Sequence, residues 1–518
     1  EFALSFGDYK VSITVPADHI VAATGELQNA DDVLTKKQID RLQKAERSDQ
    51  PVLIITQDEA VQNEKSRSGK KKTWVFHASN VRDFAWASSR KFIWDAMGVN
   101  INQSASQSRS KGQGSNKVLA MSFYPKEGNP LWEKYSTRVV ANTLKIYSAY
   151  SVDYSYPVAI SVHGPVWGME YPMICFNGAR PDPDGSYDEA KKNSLISVVT
   201  HEVGHNFFPM IINSDERQWT WLDEGLNSFV QGLALKEWDP QFRPKRGGIK
   251  HIISYMKGDK SKMVPIMTNS ESLLQFGKNA YGKTAAALNI LRNTVMGKDL
   301  FDYAFKEYCR RWAFKRPMPA DLFRTMEDAS GVDLDWFWRG WFFTTDHVDI
   351  AIENVAWFSL EASPPNSLSK VEGEKQHSSN KLTDNSVEER KSPDIDTLDS
   401  FNIITLDSSK YEKLFNDFIG EQKTLLATSL NFYEVTFNNI GGLVMPLIVS
   451  IEYEDGTDEV IRIPAEIWNK NDKQVSQIFV SEKNAVSFKL DPLLETADTD
   501  VNNNYFPRRA GGNKEIKE

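Results

Sequence analysis

Residues 201–205 read His-Glu-Val-Gly-His, and this pentapeptide constrains the fold more than any other part of the chain. The seven residues before it contain no Pro or Gly and favour a helix. On a helix, positions i and i+4 share one face, so His201 and His205 can direct ring nitrogens at one ion. Glu202 lies about 100° further round the helix, where it reaches a water on that ion without binding the ion itself.

A zinc site needs a third protein ligand and an open position for water. The first helix ends near Pro209, and a second helix is predicted to begin at Thr220-x-x-Asp223, which has the spacing of a capping box. Glu224 falls in its first turn, eighteen residues beyond His205, which is enough for the chain to reverse. The pattern predicts one Zn²⁺ per chain on His201, His205 and Glu224, with Glu202 as the catalytic base. The alternative is a structural histidine pair and a Glu placed by the helix dipole.

Length and composition limit the possible architectures and binding partners of the chain. The chain has 518 residues, which predicts about three domains. Its formal charge of −9 argues against nucleic acid as a partner, because phosphate binding needs a basic face. No apolar run approaches the ~18 residues needed to cross a bilayer, so no transmembrane segment is expected. Cys175 and Cys309 stand in apolar surroundings, which favours two buried thiols over a disulfide or a ligand pair.

Hydropathy periods predict where helices and strands lie. Strands are expected at residues 10–15 and 73–77, with a charged helix at Lys36–Arg47 between them. Helices are expected at residues 131–151, 188–208, 221–237, 280–296, 298–312, 319–330 and 333–342, and a strand at 158–162. Further short strands are expected at residues 430–437, 443–453, 459–463, 475–480 and 486–490.

Two polar stretches, 104–116 and 361–400, are too poor in apolar residues to fold alone. The predicted fold class is therefore a multidomain α+β chain. We expect the end of an N-terminal β domain at residues 1–97, an α-rich domain at 98–348 and a linker or disordered insertion at 349–400. A β-sandwich is expected at 401–505 and a tail at 506–518.

The zinc motif also carries a family resemblance. His-Glu-Val-Gly-His, the eighteen-residue gap and Trp221-Leu222-Asp223-Glu224-Gly225-Leu226 resemble the gluzincin zinc aminopeptidases of the membrane alanyl aminopeptidase family, which includes aminopeptidase N and leukotriene A4 hydrolase. The resemblance implies a thermolysin-like zincin catalytic domain at 98–348, preceded by the last part of the family's N-terminal β domain. The large helical C-terminal domain of many members has no counterpart in this sequence.

A second motif supports this resemblance. Gly168-Met169-Glu170-Tyr171-Pro172 resembles the family's Gly-x-Met-Glu-Asn exopeptidase motif. The resemblance implies that Gly168, Met169 and Glu170 bind substrate and that the Glu170 carboxylate holds the free α-amino group. Trp167 stands where the first Gly of the motif is expected, and Tyr171 replaces its Asn, so the first subsite departs from the family pattern.

The family also has a Tyr, in the region of Tyr281, whose hydroxyl hydrogen-bonds the oxyanion of the reaction. The resemblance therefore implies a catalytic role for Tyr281, which stands at the head of a predicted helix. Family members carry a second amine-binding residue in the N-terminal domain, and this sequence offers no counterpart to it. The chain begins without Met, so we expect either a removed signal or a missing N-terminal fragment of the same protein, which would be a partner of this chain.

The function that the resemblance implies is zinc-dependent removal of the N-terminal residue from peptides with a free amino terminus. Two alternatives stay open from the sequence. One is an endopeptidase or epoxide hydrolase of the same superfamily, and the other is a catalytically inactive peptide-binding or scaffold protein on a peptidase fold. Family habit favours the bacterial cell envelope, the periplasm or secretion, with the cytoplasm as the alternative.

Overall fold

The computed structural model describes residues 4–65, 67–101, 117–359, 402–405 and 430–508. The chain divides into two compact units, Glu1–Thr345 and Asp346–Glu518. The predicted polar loop at 104–116, the predicted insertion at 361–400 and most of the predicted tail lie outside the described residues.

The first unit contains three sheets. Their strands are β1 (Gly7–Pro16), β2 (Ile20–Ala23), β3 (Glu26–Leu27), β4 (Val52–Ile55), β5 (Lys71–Val81), β6 (Trp86–Ser89), β7 (Ile93–Asn100), β8 (Lys117–Tyr124), β9 (Val158–His163), β10 (Gly168–Tyr171) and β11 (Ile174–Asn177). Strands β1, β5 and β3 form one sheet in that order, and β2 pairs with β6. The third sheet has six strands in the order β10-β11-β9-β8-β7-β4. The strand predictions at residues 10–15, 73–77 and 158–162 are confirmed within β1, β5 and β9.

The six-stranded sheet runs across the domain boundary that the sequence predicted. The expected division between residues 97 and 98 falls inside β7, which pairs antiparallel with β8 over its whole length. Strand β8 then pairs parallel with β9, and β9 with β11. Because backbone hydrogen bonds join these strands into one layer, residues 93–100 belong to the same sheet as β8, β9 and β11 rather than to a separate β domain. The region before them also holds helices, so it is not purely β.

Eleven α-helices are described in the first unit. They are α1 (Ala30–Val33), α2 (Lys36–Arg47), α3 (Gln57–Lys65), α4 (Leu131–Tyr150), α5 (Glu189–Gly204), α6 (Leu226–Trp238), α7 (Ile249–Met256), α8 (Thr284–Ile290), α9 (Lys298–Trp312), α10 (Pro319–Ser330) and α11 (Asp335–Phe343). Wider π turns cover Asn206–Ile211, Trp221–Gly225, Gly277–Lys283 and Leu291–Val295, and 3₁₀ turns cover Lys126–Gly128, Lys260–Lys262 and Ser270–Ser272. All eight predicted helical segments, Lys36–Arg47 included, are confirmed, whereas α1, α3 and α7 were not predicted.

Helix α2 has the bounds that its sequence predicts, because a capping box fixes its start. The Thr35 hydroxyl accepts from the Gln38 amide, and the Gln38 side chain accepts from the Thr35 amide. Helix α4 packs on strands β7, β8 and β9 and on α5 and α6. Its buried face includes Leu131, Trp132 and Leu144, so it holds the zinc-motif helix against the sheet.

The second unit is a β-sandwich. Its strands are β12 (Ile350–Ser359), β13 (Asn402–Thr405), β14 (Asn431–Asn439), β15 (Leu447–Tyr453), β16 (Asp458–Ile463), β17 (Gln474–Ser481), β18 (Ala485–Leu490) and β19 (Tyr505–Phe506). They form two four-stranded sheets, β13-β12-β14-β17 and β16-β15-β18-β19. Tyr433 and Phe479 of the first sheet contact Phe488 of the second at ring distances of 5.6 and 6.0 Å, which places the core between the sheets.

Two boundaries of this unit differ from the predicted ones. Strand β12 occupies the start of the expected linker at 349–400 and pairs with β14, so the sandwich begins near Ile350. Strand β19 includes Phe506, which the prediction assigned to the tail. The two cysteines are buried free thiols, as predicted. Among the helices that the structure describes, none combines the length and hydropathy required to span a bilayer.

Candidate metal centre

Helix α5 carries both predicted histidine ligands and the predicted base. The Asp188 side chain caps it by accepting from the Lys191 amide at 2.8 Å, and it continues without interruption through Gly204. A side chain at Gly204 would collide with Asn227 and with the hydroxyl of Tyr147, so only glycine lets α4 and α6 pack this close to α5. His201 and His205 are both buried at the end of the helix.

Three donor atoms converge as the sequence spacing predicts. His201 Nε2 lies 3.0 Å from Glu224 Oε2, His205 Nε2 lies 3.3 Å from the same oxygen, and the two Nε2 atoms are 3.2 Å apart. A tetrahedral zinc with bonds of about 2.0–2.1 Å requires ligand atoms about 3.3–3.4 Å apart. The triangle is close to that size and has the two-imidazole, one-carboxylate composition of a catalytic zinc site. His201, His205 and Glu224 therefore fit a zinc ion.

Glu224 enters the site from a π turn rather than from a regular first turn of helix. Residues Trp221–Gly225 form this turn, and α6 follows it directly. The predicted capping box is wrong, because Thr220 itself has helical backbone angles and its hydroxyl bonds Ser270 and the Glu216 carbonyl instead of capping the turn. Single π turns inside helices occur frequently at functional sites, since they rotate one side chain out of the regular helical position.

Groups behind the histidines fix the orientation of both rings. His201 Nδ1 lies 3.1 Å from Gln231 Oε1, and the Gln231 amide in turn donates to the Ser197 carbonyl. His205 Nδ1 lies 2.8 Å from the Phe208 carbonyl and 2.8 Å from an Asp223 carboxylate oxygen. These contacts turn the Nε2 atoms toward the common point, as outer partners of metal-bound histidines usually do.

Sequence reasoning missed these outer partners, although part of the signal was present. Asn227 and Gln231 follow Glu224 at i+3 and i+7, so they share one face of α6 with it. The Asn227 amide donates a hydrogen bond to the His201 carbonyl at 2.9 Å, and its side-chain oxygen accepts one from the Tyr147 hydroxyl at 2.7 Å. Asp223 carried no such signal, because its contact with His205 depends on the π turn.

Glu202 is buried against strand β10. A side chain at Gly168 would meet Glu202 Cδ at 2.7 Å and would overlap its carboxylate, so the strand backbone lies directly on the Glu202 side chain. Burial raises the pKa of Glu202 to about 8, the positive field of His205 lowers it, and Glu170 and Glu224 raise it further. The geometry brings Gly168 of one motif against Glu202 of the other, a contact that neither motif predicted.

Glu170 lies on the same face of β10 as Gly168, because alternate residues of a strand share a face. One carboxylate oxygen of Glu170, a ring nitrogen of His205 and an oxygen of Asp223 lie within 4.8 Å of one another. Met169 alternates to the opposite face and is 42% exposed, so the structure does not bring it to the metal side. Trp167, at the start of the motif, is 84% exposed.

Tyr281 reaches the site from the π turn Gly277–Lys283, which precedes α8. Its hydroxyl donates to Glu224 Oε1, and its ring stacks on His201 at a centroid distance of 5.8 Å. Gly225 makes this approach possible, because a side chain there would lie 2.7 Å from the Ala280 carbonyl oxygen. Burial, together with the negative charge of Glu224, raises the pKa of Tyr281, so its hydroxyl keeps its proton.

The charge balance of the site also fits a divalent cation. Glu170, Glu202, Asp223 and Glu224 surround two imidazoles. Burial acts to raise the pKa of Glu224, but the fields and hydrogen bonds of His205 and His201 outweigh it and hold that pKa well below its usual range. Burial alone would lower the pKa of His205, yet the carboxylates of Glu170, Asp223 and Glu224 raise it strongly. Burial raises the pKa of Glu202 and of Asp223, so these carboxyls retain protons without a cation, and a divalent cation would stabilise their ionised forms.

Comparison with known proteins agrees with this geometry. Residues 135–341 match the Peptidase family M1 domain. The chain is 24% identical over 256 residues to glutamyl aminopeptidase of Bos taurus, covering 46% of this chain and 26% of that protein. It is 25% identical over 201 residues to probable aminopeptidase 1 of Sulfurisphaera tokodaii, and the match covers 38% of this chain and 25% of that protein. The matched regions thus span only about a quarter of the length of these curated relatives.

The fold is shared with a solved structure. Aminopeptidase A of Legionella pneumophila, crystallised in complex with aspartic acid, superposes with a TM-score of 0.53 at 11% identity and covers 95% of this chain and 44% of that one. The matched M1 domain contains the helix of the two histidines, the turn of Glu224 and Tyr281. The family model and the sequence relatives agree with the gluzincin resemblance, and residues 135–341 of this chain are similar to the Peptidase family M1 domain.

Proposed function

We propose that this chain is a zinc aminopeptidase that releases the N-terminal residue of peptides and holds one zinc ion per chain. The observation that carries the proposal is the convergence of His201, His205 and Glu224 within a triangle of 3.0–3.3 Å edges. Its position inside the matched M1 domain supports the same conclusion. The comparisons do not favour an inactive scaffold, an endopeptidase or an epoxide hydrolase.

The proposed roles follow from the position of each side chain. His201, His205 and Glu224 would hold a zinc ion, which would supply Lewis-acid chemistry by lowering the pKa of a bound water to about 7 and polarising the substrate carbonyl. Glu202 accepts the proton of the attacking water and passes it to the leaving amine. Tyr281 donates its hydroxyl to the developing oxyanion. Glu170, on the His205 side of the site, pairs with the free ammonium of the substrate and so limits cleavage to the first residue.

The test is hydrolysis of an aminoacyl-coumarin panel, with metal analysis of the same preparation. We expect turnover that a chelator abolishes and that one equivalent of zinc per chain restores, together with no cleavage of N-acetylated peptides. Equal cleavage of free and acetylated peptides would contradict the exopeptidase proposal. One bound zinc without hydrolysis across the panel would favour the peptide-binding alternative.

The cellular location is also a proposal. An envelope, periplasmic or secreted location, with the cytoplasm as the alternative, rests on family habit, and fractionation of cells that express the protein tests it.

A further inference from the structure

A basic pocket of about 540 Å³ opens beside Tyr281. We use "basic pocket" for the space lined by Lys245, Arg246, His251 and Lys278, with Ile252 and Phe276 among its apolar walls. Arg246 connects it to the metal centre, because its guanidinium carbon lies 4.0 Å from the centroid of the Tyr281 ring. Phe276 contacts the same ring edge-on at 5.9 Å. The basic pocket therefore borders the side chain of Tyr281, whose hydroxyl is the predicted oxyanion donor.

Carboxylates of the protein balance only part of the positive charge of the basic pocket, because Arg246 lies in the field of the buried Glu202 while the pocket itself has no acidic lining. In the part of the chain that the structure describes, Lys245, Arg246 and Lys278 form no salt bridge with an Asp or Glu, although the chain as a whole carries a formal charge of −9. Several like charges around a concave wall focus the electric field and attract an anion.

Glu170 and Tyr281, which borders the basic pocket through Arg246, lie beside different residues of the metal centre. Glu170 is close to His205 and Asp223, whereas Tyr281 contacts His201 and Glu224. A peptide whose amino terminus is at Glu170 and whose first carbonyl is at the metal centre continues toward Tyr281. The residues after the scissile bond then reach the basic pocket.

We propose that the basic pocket binds a carboxylate carried by the leaving part of the substrate. This inference rests on the proposed aminopeptidase function and defines its substrate class as short peptides with a free C-terminal carboxylate. An acidic side chain shortly after the scissile bond offers the same chemistry. Lysine and arginine donate charge-assisted hydrogen bonds to either source. A single exposed ion pair is weak, but three together give a preference of about 5–10-fold.

The first experiment compares H-Ala-Ala-Ala-OH with H-Ala-Ala-Ala-NH₂ on the zinc-loaded enzyme. We expect kcat/KM to favour the free acid about 5–10-fold, mainly through KM, and the preference to shrink in 0.5 M salt because exposed charges are screened. The double variant K245Q/K278Q lowers the acid-to-amide ratio toward one. The matched control K298Q/K306Q removes two exposed lysines from helix α9 of the same unit and keeps the parental ratio.

A second pair of substrates identifies the source of the carboxylate. H-Ala-Asp-Ala-NH₂ and H-Ala-Asn-Ala-NH₂ both lack a free C-terminus, so a preference for the Asp peptide that K245Q/K278Q removes assigns the pocket to acidic side chains as well. Equal use of acid and amide by the parent enzyme, with coumarin substrates still cleaved, overturns the pocket proposal and leaves the proposed function standing. If no substrate is cleaved, the proposed function fails, and calorimetric binding of the two tripeptides to the zinc-loaded E202Q variant measures the same ratio without turnover.

Discussion

A comparison of two buried polar clusters in the described part of the first unit shows how a reactive site is distinguished from a structural one. The metal centre joins imidazoles and carboxylates that face one point. The second cluster, which we call the sheet network, crosses β7, β8, β9 and β11 under helix α4. Its members are Asp95, Ser122, Tyr124, Ser136, Thr137, Ser161 and Asn177.

The hydroxyls of the sheet network bond to one another and to Asp95, and Asn177 Oδ1 is the one buried side-chain oxygen among its members that has no hydrogen-bond partner in the described residues. The Tyr124 hydroxyl donates to Asp95 at 2.6 Å, Thr137 donates to the other oxygen of Asp95, and a chain of hydroxyls continues from Ser122 to Ser136 at 2.8 Å. Hydroxyl groups can both donate and accept, so such a chain closes without an external ligand. In the metal centre, by contrast, two imidazole nitrogens and a carboxylate oxygen face one point, which is the arrangement that a cation fits. Burial is common to both clusters, and the type of donor decides which one binds a ligand.

The largest expected effect is a loss of catalysis at the metal centre without a loss of folding. Glu202→Ala should lower kcat by about 10²–10⁴-fold or more, because the proton of the attacking water loses its acceptor. Zinc content, measured by mass spectrometry of the metal, and the melting temperature should stay at the parental values. Parental turnover in this variant would show that another group is the base.

The pH dependence of the free energy of unfolding tests the role of Asp95 in the sheet network. Burial raises the pKa of Asp95 to about 7, while hydrogen bonds from Thr137 and Tyr124 act in the opposite direction. Below pH 4 its carboxyl is protonated in both the folded and the unfolded chain, and above pH 7 it is ionised in both. Between these values only the folded chain keeps the proton, so the free energy of unfolding falls as pH rises.

Asp95→Asn should therefore remove a penalty of up to about 4 kcal/mol at pH 8 and none at pH 4. Urea denaturation at both pH values measures the difference, and kcat at pH 7 should remain parental. The same stability change at pH 4 and pH 8 would mean that ionisation of Asp95 is not its cause.

A substitution at Gly168 tests whether catalysis needs the contact between strand β10 and the Glu202 side chain. Gly168→Ala should reduce kcat by about 10²-fold, because the added carbon must displace either the Glu202 carboxylate or strand β10. Gly232→Ala is the matched control, since a side chain there meets nothing within 4 Å and α6 should gain about 0.5–1 kcal/mol of stability. Similar activities of the two variants would show that the contact between Gly168 and Glu202 is unimportant.

The smallest effect is expected for a single hydroxyl of the sheet network. Ser136→Ala removes an acceptor for Ser122 and a donor to Ser161 and should destabilise the protein by about 1 kcal/mol without changing kcat. Thermal unfolding measures the loss, with exposed Ser155→Ala as the control. A loss of activity equal to that of Gly168→Ala would mean that the two clusters are coupled.

Local features of the sequence were sufficient for eight of the eleven described helices of the first unit and for the convergence of the three predicted metal ligands. Helix α2 is fixed by its capping box, α4 by its apolar face, and the pair His201 and His205 by the pitch of a helix. These are interactions between residues a few positions apart, which the sequence displays directly. The metal ligands were predictable for the same reason, together with the eighteen-residue gap to Glu224.

The tertiary structure alone decided which distant residues complete the site. The contact of Gly168 with Glu202, the stacking of Arg246 on Tyr281 and the approach of Asp223 to His205 join separate elements. The position of β7 in the catalytic sheet likewise depends on pairing with β8, across residues 102–116. Strand pairing and π turns depend on packing between elements. The local hydropathy periods of the sequence therefore do not predict them.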